Sequence, residues 1–412
     1  MKLWTMAWRN LMRSRRRTFI TAFSVAFGVL LSVTFTGSGD YSYTKMINVS
    51  ATMGLGHLTF EPPDYNNTPS LSKVIDHTDN ILAQVTKNPQ VDAALVRIMG
   101  QAMFASGANS TGGVFLAIDP GQESAACNIF LKSIVQGRIF AGRNDRSVVI
   151  GTKMAEKLRL KLGRKLIITT TDKHGEMVST VGRVSGIFKT GDDAVDGSII
   201  LMPIDRVRET LHYTSQEASL MAIFIKDQRQ AAAIRDVFRL LHWQQDLDIL
   251  TWEKTQPELA GLIAIDRASN YLLQFLIGLL IAAGIMNTLL MSVLERTREF
   301  GIMLALGLSP GQVVRLILIE SLVIGLLGLL LGVIITAPWF FYMKEVGINL
   351  SHFIGEDYSA AGVIIDPVLK FRLFRESVIA ILTGIFALTL LAGIYPAIKA
   401  GRVPPVESLK RV

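Results

Sequence analysis

At 412 residues, half of them hydrophobic and only 18% charged, with a mean hydropathy of +0.38, the chain is too apolar for an ordinary water-soluble protein of its length. Its net charge of +8 does not mark a nucleic-acid binder, because the basic residues flank apolar runs and leave no basic face once those flanks are set aside. The single cysteine, Cys127, excludes an intramolecular disulfide, so a folded domain here must rest on its own core, in which Cys127 reads as a small buried residue.

Taken in order, Leu3, Trp4, Ala7, Trp8, Leu11 and Met12 fall on one helical face, with Arg9 and Arg13 off it. This predicts a short amphipathic helix on the inner membrane surface, within an N-terminal segment of residues 1–17, its tryptophans at headgroup depth. Four apolar runs follow, Thr18–Thr36, Tyr271–Leu294, Val313–Phe341 and Ser377–Tyr395, each of 19 residues or more. Such runs can cross a hydrocarbon core of about 30 Å as helices, and lipid leaves no other way to satisfy their backbone amides. Arg16-Arg17-Thr18-Phe19-Ile20 resembles a twin-arginine export signal. The run after it is long for a cleaved signal and lacks an Ala-x-Ala site, so a retained anchor helix is expected.

Basic residues gather before the first span (Arg9, Arg13, Arg15, Arg16, Arg17), around the loop between spans two and three (Arg296, Arg298, Arg315) and after the fourth (Lys399, Arg402, Lys410, Arg411). By the positive-inside rule both termini and that loop are cytoplasmic. The expected fold is a membrane protein with four transmembrane α-helices and a large external α+β domain inserted between helices one and two. Its segments are a first span at 18–36, the external domain at 37–252 and a stalk at 253–270. A span at 271–294, a cytoplasmic loop at 295–310 and a span at 311–341 come next. An external loop at 342–374, a last span at 375–396 and a tail at 397–412 complete the layout.

In the external segment, Gly56–Glu61, Ala94–Ala105, Gly113–Ile118, Ser147–Ile150, Lys165–Thr171, Met177–Phe188, Ser198–Pro203, Leu220–Ile225 and Asp248–Trp252 read as strands, with Asp172–Gly175 as a hairpin turn. Helices are predicted over Leu71–Thr86, over Thr152–Leu160 with Thr152 as a capping residue, and over Gln228–His242. This mixture implies one α+β domain of one or two lobes, whose strand order does not follow from the pattern. Helical spacing through Leu259, Leu262, Ile263 and Ile265 predicts that span two extends outward as one rod.

Within the spans, Gly278, Ala282, Ala283, Gly284, Gly325 and the pair Gly328 and Gly332 let helices approach closely. Asn287 and Glu320 are the intramembrane polar residues. Glu320 lies about two turns into span three, where a carboxylate is costly unless paired. It reads either as a contact that shifts when helices move or as a partner for Arg315 or Arg298 at the inner interface. The sequence holds no Gly-x-x-x-x-Gly-Lys-[Ser/Thr], no His-Glu-x-x-His, no Cys-x-x-Cys and no Gly-x-Ser-x-Gly. The histidines His57, His77, His174, His212, His242 and His352 have no metal-ligand spacing and read as surface or turn residues. No cofactor or metal site is expected, and any energy source must come from a partner.

Met286-Asn-Thr-Leu-Leu-Met-Ser-Val-Leu-Glu-Arg-Thr-Arg-Glu-Phe-Gly-Ile-Met-Leu-Ala-Leu-Gly307 resembles the signature of the FtsX-like permeases, membrane subunits of ABC systems that include MacB and the LolC/LolE pair. Ile394–Leu409 is similar to the tail after their last span, and Ala7–Thr18 to their start. The resemblance implies a bacterial inner-membrane protein whose external domain is periplasmic. It also implies a coupling helix at Glu295–Gly307 that docks on a cytoplasmic ATPase, with Glu295, Arg296, Arg298, Glu299, Phe300, Ile302, Leu304 and Leu306 as its contact residues. Glu295, Arg298 and Glu299 can face outward there, while Ile302, Leu304, Ala305 and Leu306 offer an apolar surface to bury.

Two ATPase copies would bind the ATP and Mg. A second permease, the same or a related chain, and membrane lipids would complete the assembly. Because the sequence starts at its first span, the ATPase is expected on a separate polypeptide, leaving this chain without enzymatic activity of its own. The implied mechanism is mechanotransmission: ATP-driven closure moves the coupling helices, the spans and the external domains. The expected function is lipoprotein release to a periplasmic carrier. The alternatives are efflux of antibiotics or peptides with adaptor partners, and signalling to a periplasmic cell-wall hydrolase.

Overall fold

The computed structural model describes residues 3–107, 109–241, 243, 245–351, 359–360, 363–364 and 368–403. His242, His352, Lys410 and Arg411 lie outside the described residues. The chain divides into two compact units, one of Met1–Ser42, Ile265–Asn349 and Val368–Val412, the other of Tyr43–Ala264 and Leu350–Pro367.

The chain begins with α1 (Leu3–Arg13) and α2 (Arg15–Ser50), which runs on into a single π-helical turn, Ala51–Leu55. The first long helix therefore does not end at Thr36. Gly37, Ser38 and Gly39 are helical, because the residues that follow have a core to enter: Tyr43, Ile47 and Ala51 are buried in the second unit. Gly54, at φ 145°, ends the helix in a conformation open to glycine.

The second unit carries β1 (Leu58–Glu61), α3 (Thr78–Val85), β2 (Val91–Ser106), β3 (Asn109–Ile118), α4 (Ile129–Lys132), β4 (Ile134–Gly137), β5 (Ser147–Gly151), α5 (Thr152–Lys157), β6 (Lys165–Thr171) and β7 (Met177–Phe188). It continues with α6 (Asp193–Ser198), β8 (Ile199–Pro203), α7 (Ile204–Leu211), β9 (Leu220–Ile225), α8 (Ala231–Arg239), β10 (Asp248–Thr251) and α9 (Trp252–Thr255). The strands form one mixed sheet in the order β10-β1-β9-β2-β3-β8-β5-β7-β4, and β6 joins β7 to β2. Strands β2, β3, β8, β5, β7 and β6 thereby close a ring. Its core packs Ile98, Phe104, Phe115, Ile150, Leu166, Ile168 and Ile200.

Strand β2 links two regions. Its first half pairs with β9 and its second with β3 and β6. At the crossing point Arg97 is fully buried, donating Nε and Nη2 to the Glu123 carboxylate at 2.7 and 2.8 Å and Nη1 to the Gly54 carbonyl at 2.8 Å. Cys127 is buried beside it, its carbonyl accepting from Arg97 Nη2.

Three local expectations are corrected. Residues 71–77 are not helical: Ile75 instead exchanges backbone hydrogen bonds with Ala218, which keeps its amide out of a helix. Thr152 does not cap α5. Gly151 holds that position, and the Thr152 hydroxyl donates to Asp196 Oδ2 at 3.2 Å. His57 is neither surface nor turn but a buried residue between Asn48 and the Ile225 amide. The hairpin is found as expected, with Asp172 accepting from the His174 and Glu176 amides and Gly175 at φ 84°.

The remaining helices are α10 (Pro257–Glu295), α11 (Thr297–Ala305), α12 (Pro310–Glu345) and α13 (Arg375–Gly401). Among the described residues, four helices are long and apolar enough to cross a membrane: α2 with its π turn, α10, α12 and α13. Within the first unit α12 lies against α2. A Cβ on Gly328 would meet Val25 Cβ at 2.5 Å, and one on Gly332 would meet Val29 Cβ at 2.8 Å, so the small-xxx-small spacing is used for close packing there. Gln274 on α10 donates to Thr36 Oγ1 at 2.9 Å, and Trp339 on α12 to Thr34 Oγ1 at 3.1 Å.

Candidate coupling site

The charged stretch after α10 folds as a break and a short helix. Arg296 leaves helical geometry (φ −105°, ψ 17°) and serves as the N-cap residue of α11. After α11, Gly307 turns the chain at φ 96°, and Ser309 with Gln312 forms a reciprocal capping box that starts α12, followed at once by Pro310. The loop is thus fixed at both ends by local sequence.

Its anchor is apolar. Phe300 is fully buried and clusters with Ala7 of α1, Val293, Val313, Leu316, Ile317, and Ala397 and Ala400 of α13. On α1 only part of the expected apolar face is used. Ala7 and Leu11 are buried, whereas Trp4 and Trp8 are exposed.

Over this anchor runs a network of charges. Glu320 has a side chain only 3% exposed, and it accepts from Arg296 Nη1 at 3.1 and 3.4 Å and from Asn10 Nδ2 at 2.8 Å. Arg296 also donates Nε to Glu299 at 2.9 Å and lies over the Phe300 ring at 5.0 Å. Arg13 reaches Glu299 at 3.1 Å and Arg17 reaches Glu295 at 2.7 Å. Helices α1, α2, α10, α11 and α12 are all tied by these contacts. Arg296 Nη2 is buried without a protein partner, and the site includes a polar cavity of about 20 Å³ that Arg296, Glu320 and Asn10 help line, room for one water.

The partner of Glu320 is therefore neither Arg315 nor Arg298. Arg315 stands five residues earlier on the same helix, about 140° around the axis, and Arg298 is exposed on α11. The break at Arg296 turns its side chain inward, a choice that spacing alone did not reveal. Asn10, Arg13 and Arg17 complete the network. In the sequence the two arginines look like charges flanking a span, and Asn10, one position from Leu11, carries no signal of its role.

The other predicted residues take two roles. Arg296 and Phe300 turn inward, Glu295 and Glu299 stay at the surface where they pair with Arg17 and with Arg13 and Arg296, and Leu304 packs half-buried beside the anchor. Ile302 is 42% exposed, Leu306 is 78% exposed and Arg298 is exposed, so these three leave a free surface. Asn287 is not brought into the network and stands on the exposed side of α10.

The profile of the FtsX-like permease C-terminal family matches residues 271–405, and that of the MacB-like periplasmic core domain matches residues 18–240. The chain belongs to the ABC transporter permeases of the FtsX, MacB and LolC type. It is 23% identical to an uncharacterized ABC transporter permease of Methanocaldococcus jannaschii over 98% of this chain and 97% of that one. It is likewise 23% identical to the lipoprotein-releasing system transmembrane protein LolC of Neisseria meningitidis, over 98% of both. Identity to the pyoverdine export ATP-binding/permease protein PvdT of Pseudomonas putida is 25%, over 98% of this chain and 58% of PvdT. The periplasmic region of MacB from Actinobacillus actinomycetemcomitans aligns with 51% of this chain and 94% of its own, at 13% identity and a TM-score of 0.35. This permease is thus a membrane protein with an α+β domain inserted between its first two spanning helices.

Proposed function

We propose that this permease is the membrane subunit of a system that releases lipoproteins from the bacterial inner membrane, working as a pair of permeases on two cytoplasmic ABC ATPases. The observation that carries the reading is the network around Arg296 and Glu320, which links α11 to α1 and α12, with Arg17 linking α2 to the end of α10 beside it. Ile302 on α11 and Leu306 at its C-cap, both exposed, supply the apolar surface for an ATPase groove, with Arg298 beside them. ATP and Mg belong to the ATPase. The stroke passes along α10, which is helical without interruption from Glu295 to Pro257. Both termini lie on the cytoplasmic side, in keeping with the basic residues at that end of the bundle.

A second permease is supported by Asn287. An amide exposed on an apolar span costs free energy in hydrocarbon unless it finds a partner. Ala283 and Gly284 flank it on the same exposed side and leave room for another helix. An Asn287→Cys variant should crosslink to its neighbour in native membranes.

The lipoprotein cargo is supported by the alignment with LolC along nearly its whole length. The test is purification of the assembly from native membranes with crosslinking at Glu299. An ABC ATPase together with acylated proteins and a periplasmic carrier is the expected set. An ATPase with an adaptor and an outer-membrane channel would replace release by export, the role named for PvdT. Absence of any ATPase from the Glu299 crosslinks would remove the coupling assignment itself.

A further inference from the structure

On the outer face of the six-strand ring, β6 and β7 set two cations directly opposite each other. Lys165 and Arg183 are cross-strand partners, and like charges in that relation weaken a sheet. Arg146 joins them. It precedes Ser147, which is in register with Arg183, and its carbonyl accepts from the Arg183 amide at 2.8 Å. All three line one groove of about 580 Å³ together with Ile167 and Val181.

Among the described residues, none of the three cations has a carboxylate partner. Arg183 donates Nη1 to the Gly163 carbonyl at 2.8 Å. Asp145, the carboxylate next to Arg146 in the chain, is engaged by the Ala141 amide and by the amide and hydroxyl of Ser147. Ile167 and Val181 are themselves cross-strand partners, one step along the same face, and both are nearly half exposed. Two exposed β-branched side chains thus stand beside three exposed cations that have no carboxylate partner among the described residues. The groove's size falls in the range of small-molecule sites, about 300–1,000 Å³.

We propose that this groove binds a single anionic amphiphile as a free monomer, its phosphate or carboxylate head on Arg146, Lys165 and Arg183 and its aliphatic part on Ile167 and Val181. The reading is independent of the coupling site and of the cargo named above.

The test is equilibrium binding of octyl phosphate to the full chain in phosphatidylcholine nanodiscs, with empty nanodiscs as background. Octyl phosphate should bind saturably and at least tenfold more tightly than either inorganic phosphate or octyl glucoside. The Lys165→Gln/Arg183→Gln variant should lose at least tenfold in octyl phosphate affinity. Its thermal midpoint should be unchanged or higher, since an opposed pair of charges is removed. Ile167→Ser/Val181→Ser should bring octyl phosphate down to the level of inorganic phosphate and leave inorganic phosphate unaffected. Equal affinity for inorganic and octyl phosphate, equal affinity for octyl glucoside, or binding indifferent to Lys165 and Arg183 would each overturn the proposal. Tighter binding of a polyglutamate peptide would overturn it in favour of an acidic protein partner.

Discussion

Arg296, at the break between α10 and α11, donates to both carboxylate oxygens of Glu320 on α12, and the two side chains are 15% and 3% exposed. Removing one member of such a pair strands the other charge, at a cost of about 3–5 kcal/mol, whereas replacing both by apolar residues is often nearly neutral. Glu320→Gln and Arg296→Met should each lower the thermal midpoint of the purified permease. The double variant Arg296→Met/Glu320→Leu should recover most of the loss. ATP-driven work should remain low in all three, because the tie between α11 and α12 is gone. A double variant that regains both stability and work would reduce the pair to a packing feature.

Helix α10 runs without a break from Pro257 to Glu295. Its 39 residues give a continuous rod of about 58 Å. Inserting Gly-Gly after Ala260 both softens the rod and rotates everything beyond it by about 200°. ATP hydrolysis by the assembled system should persist while its coupled work falls at least tenfold. Work at the wild-type rate would exclude α10 as the element that carries the stroke.

How much of this could be read in advance differs by scale. The spanning helices and nine of the ten strands of the large sheet were legible, because runs of apolar residues and period-two alternation record burial directly. The ring closure through β6 was not, since Lys165–Thr171 looks the same whether it pairs with one neighbour or two. The helical course of Gly37–Gly39 was hidden for a similar reason: residues of poor helix propensity are held by what packs farther along, at Tyr43 and Ile47. At the candidate coupling site the charged loop could be seen in the sequence, and the partners of its charges could not. Asn10 and Arg296 lie 286 positions apart, and only the fold brings them to one carboxylate.

Gly332 and Gly328 should be intolerant of side chains. Val29 Cβ and Ala26 Cα stand 2.8 and 3.2 Å from a Cβ at Gly332, and neither is the free end of a flexible chain. Gly332→Val should therefore destabilise the helix unit by about 1–3 kcal/mol or more. Gly384, with nothing within 4 Å of its position, is the control: Gly384→Ala should be neutral or stabilising by up to about 1 kcal/mol. Thermal midpoints in one detergent distinguish the two, and equal effects would mean that α2 and α12 do not pack as described.

Two buried groups of the external domain give opposite pH dependences. Burial raises the Glu61 carboxyl to about 7, helped by Asp248 opposite it on β10, against the stabilising amide of Asn66. Its folded pKa exceeds the unfolded one, so its contribution is whole below about pH 4.5 and is lost as pH rises through about 7. Burial lowers His57 to about 4. Its Nδ1 accepts from the Ile225 amide at 3.2 Å, so Nε2 carries the proton toward Asn48 Oδ1 at 3.0 Å and the ring is neutral. That contribution is whole above about pH 6.5 and is lost as pH falls through about 4. Glu61→Gln keeps an acceptor for the Asn66 amide without the charge. It should raise stability at pH 8 by about 2–3 kcal/mol, and the gain should vanish near pH 4.5. In that variant the acid limb belonging to His57 stands unopposed, so its midpoint should fall more steeply between pH 6.5 and 4 than the wild type's. A gain that persists at pH 4.5 would show that it does not come from ionisation of the Glu61 carboxyl.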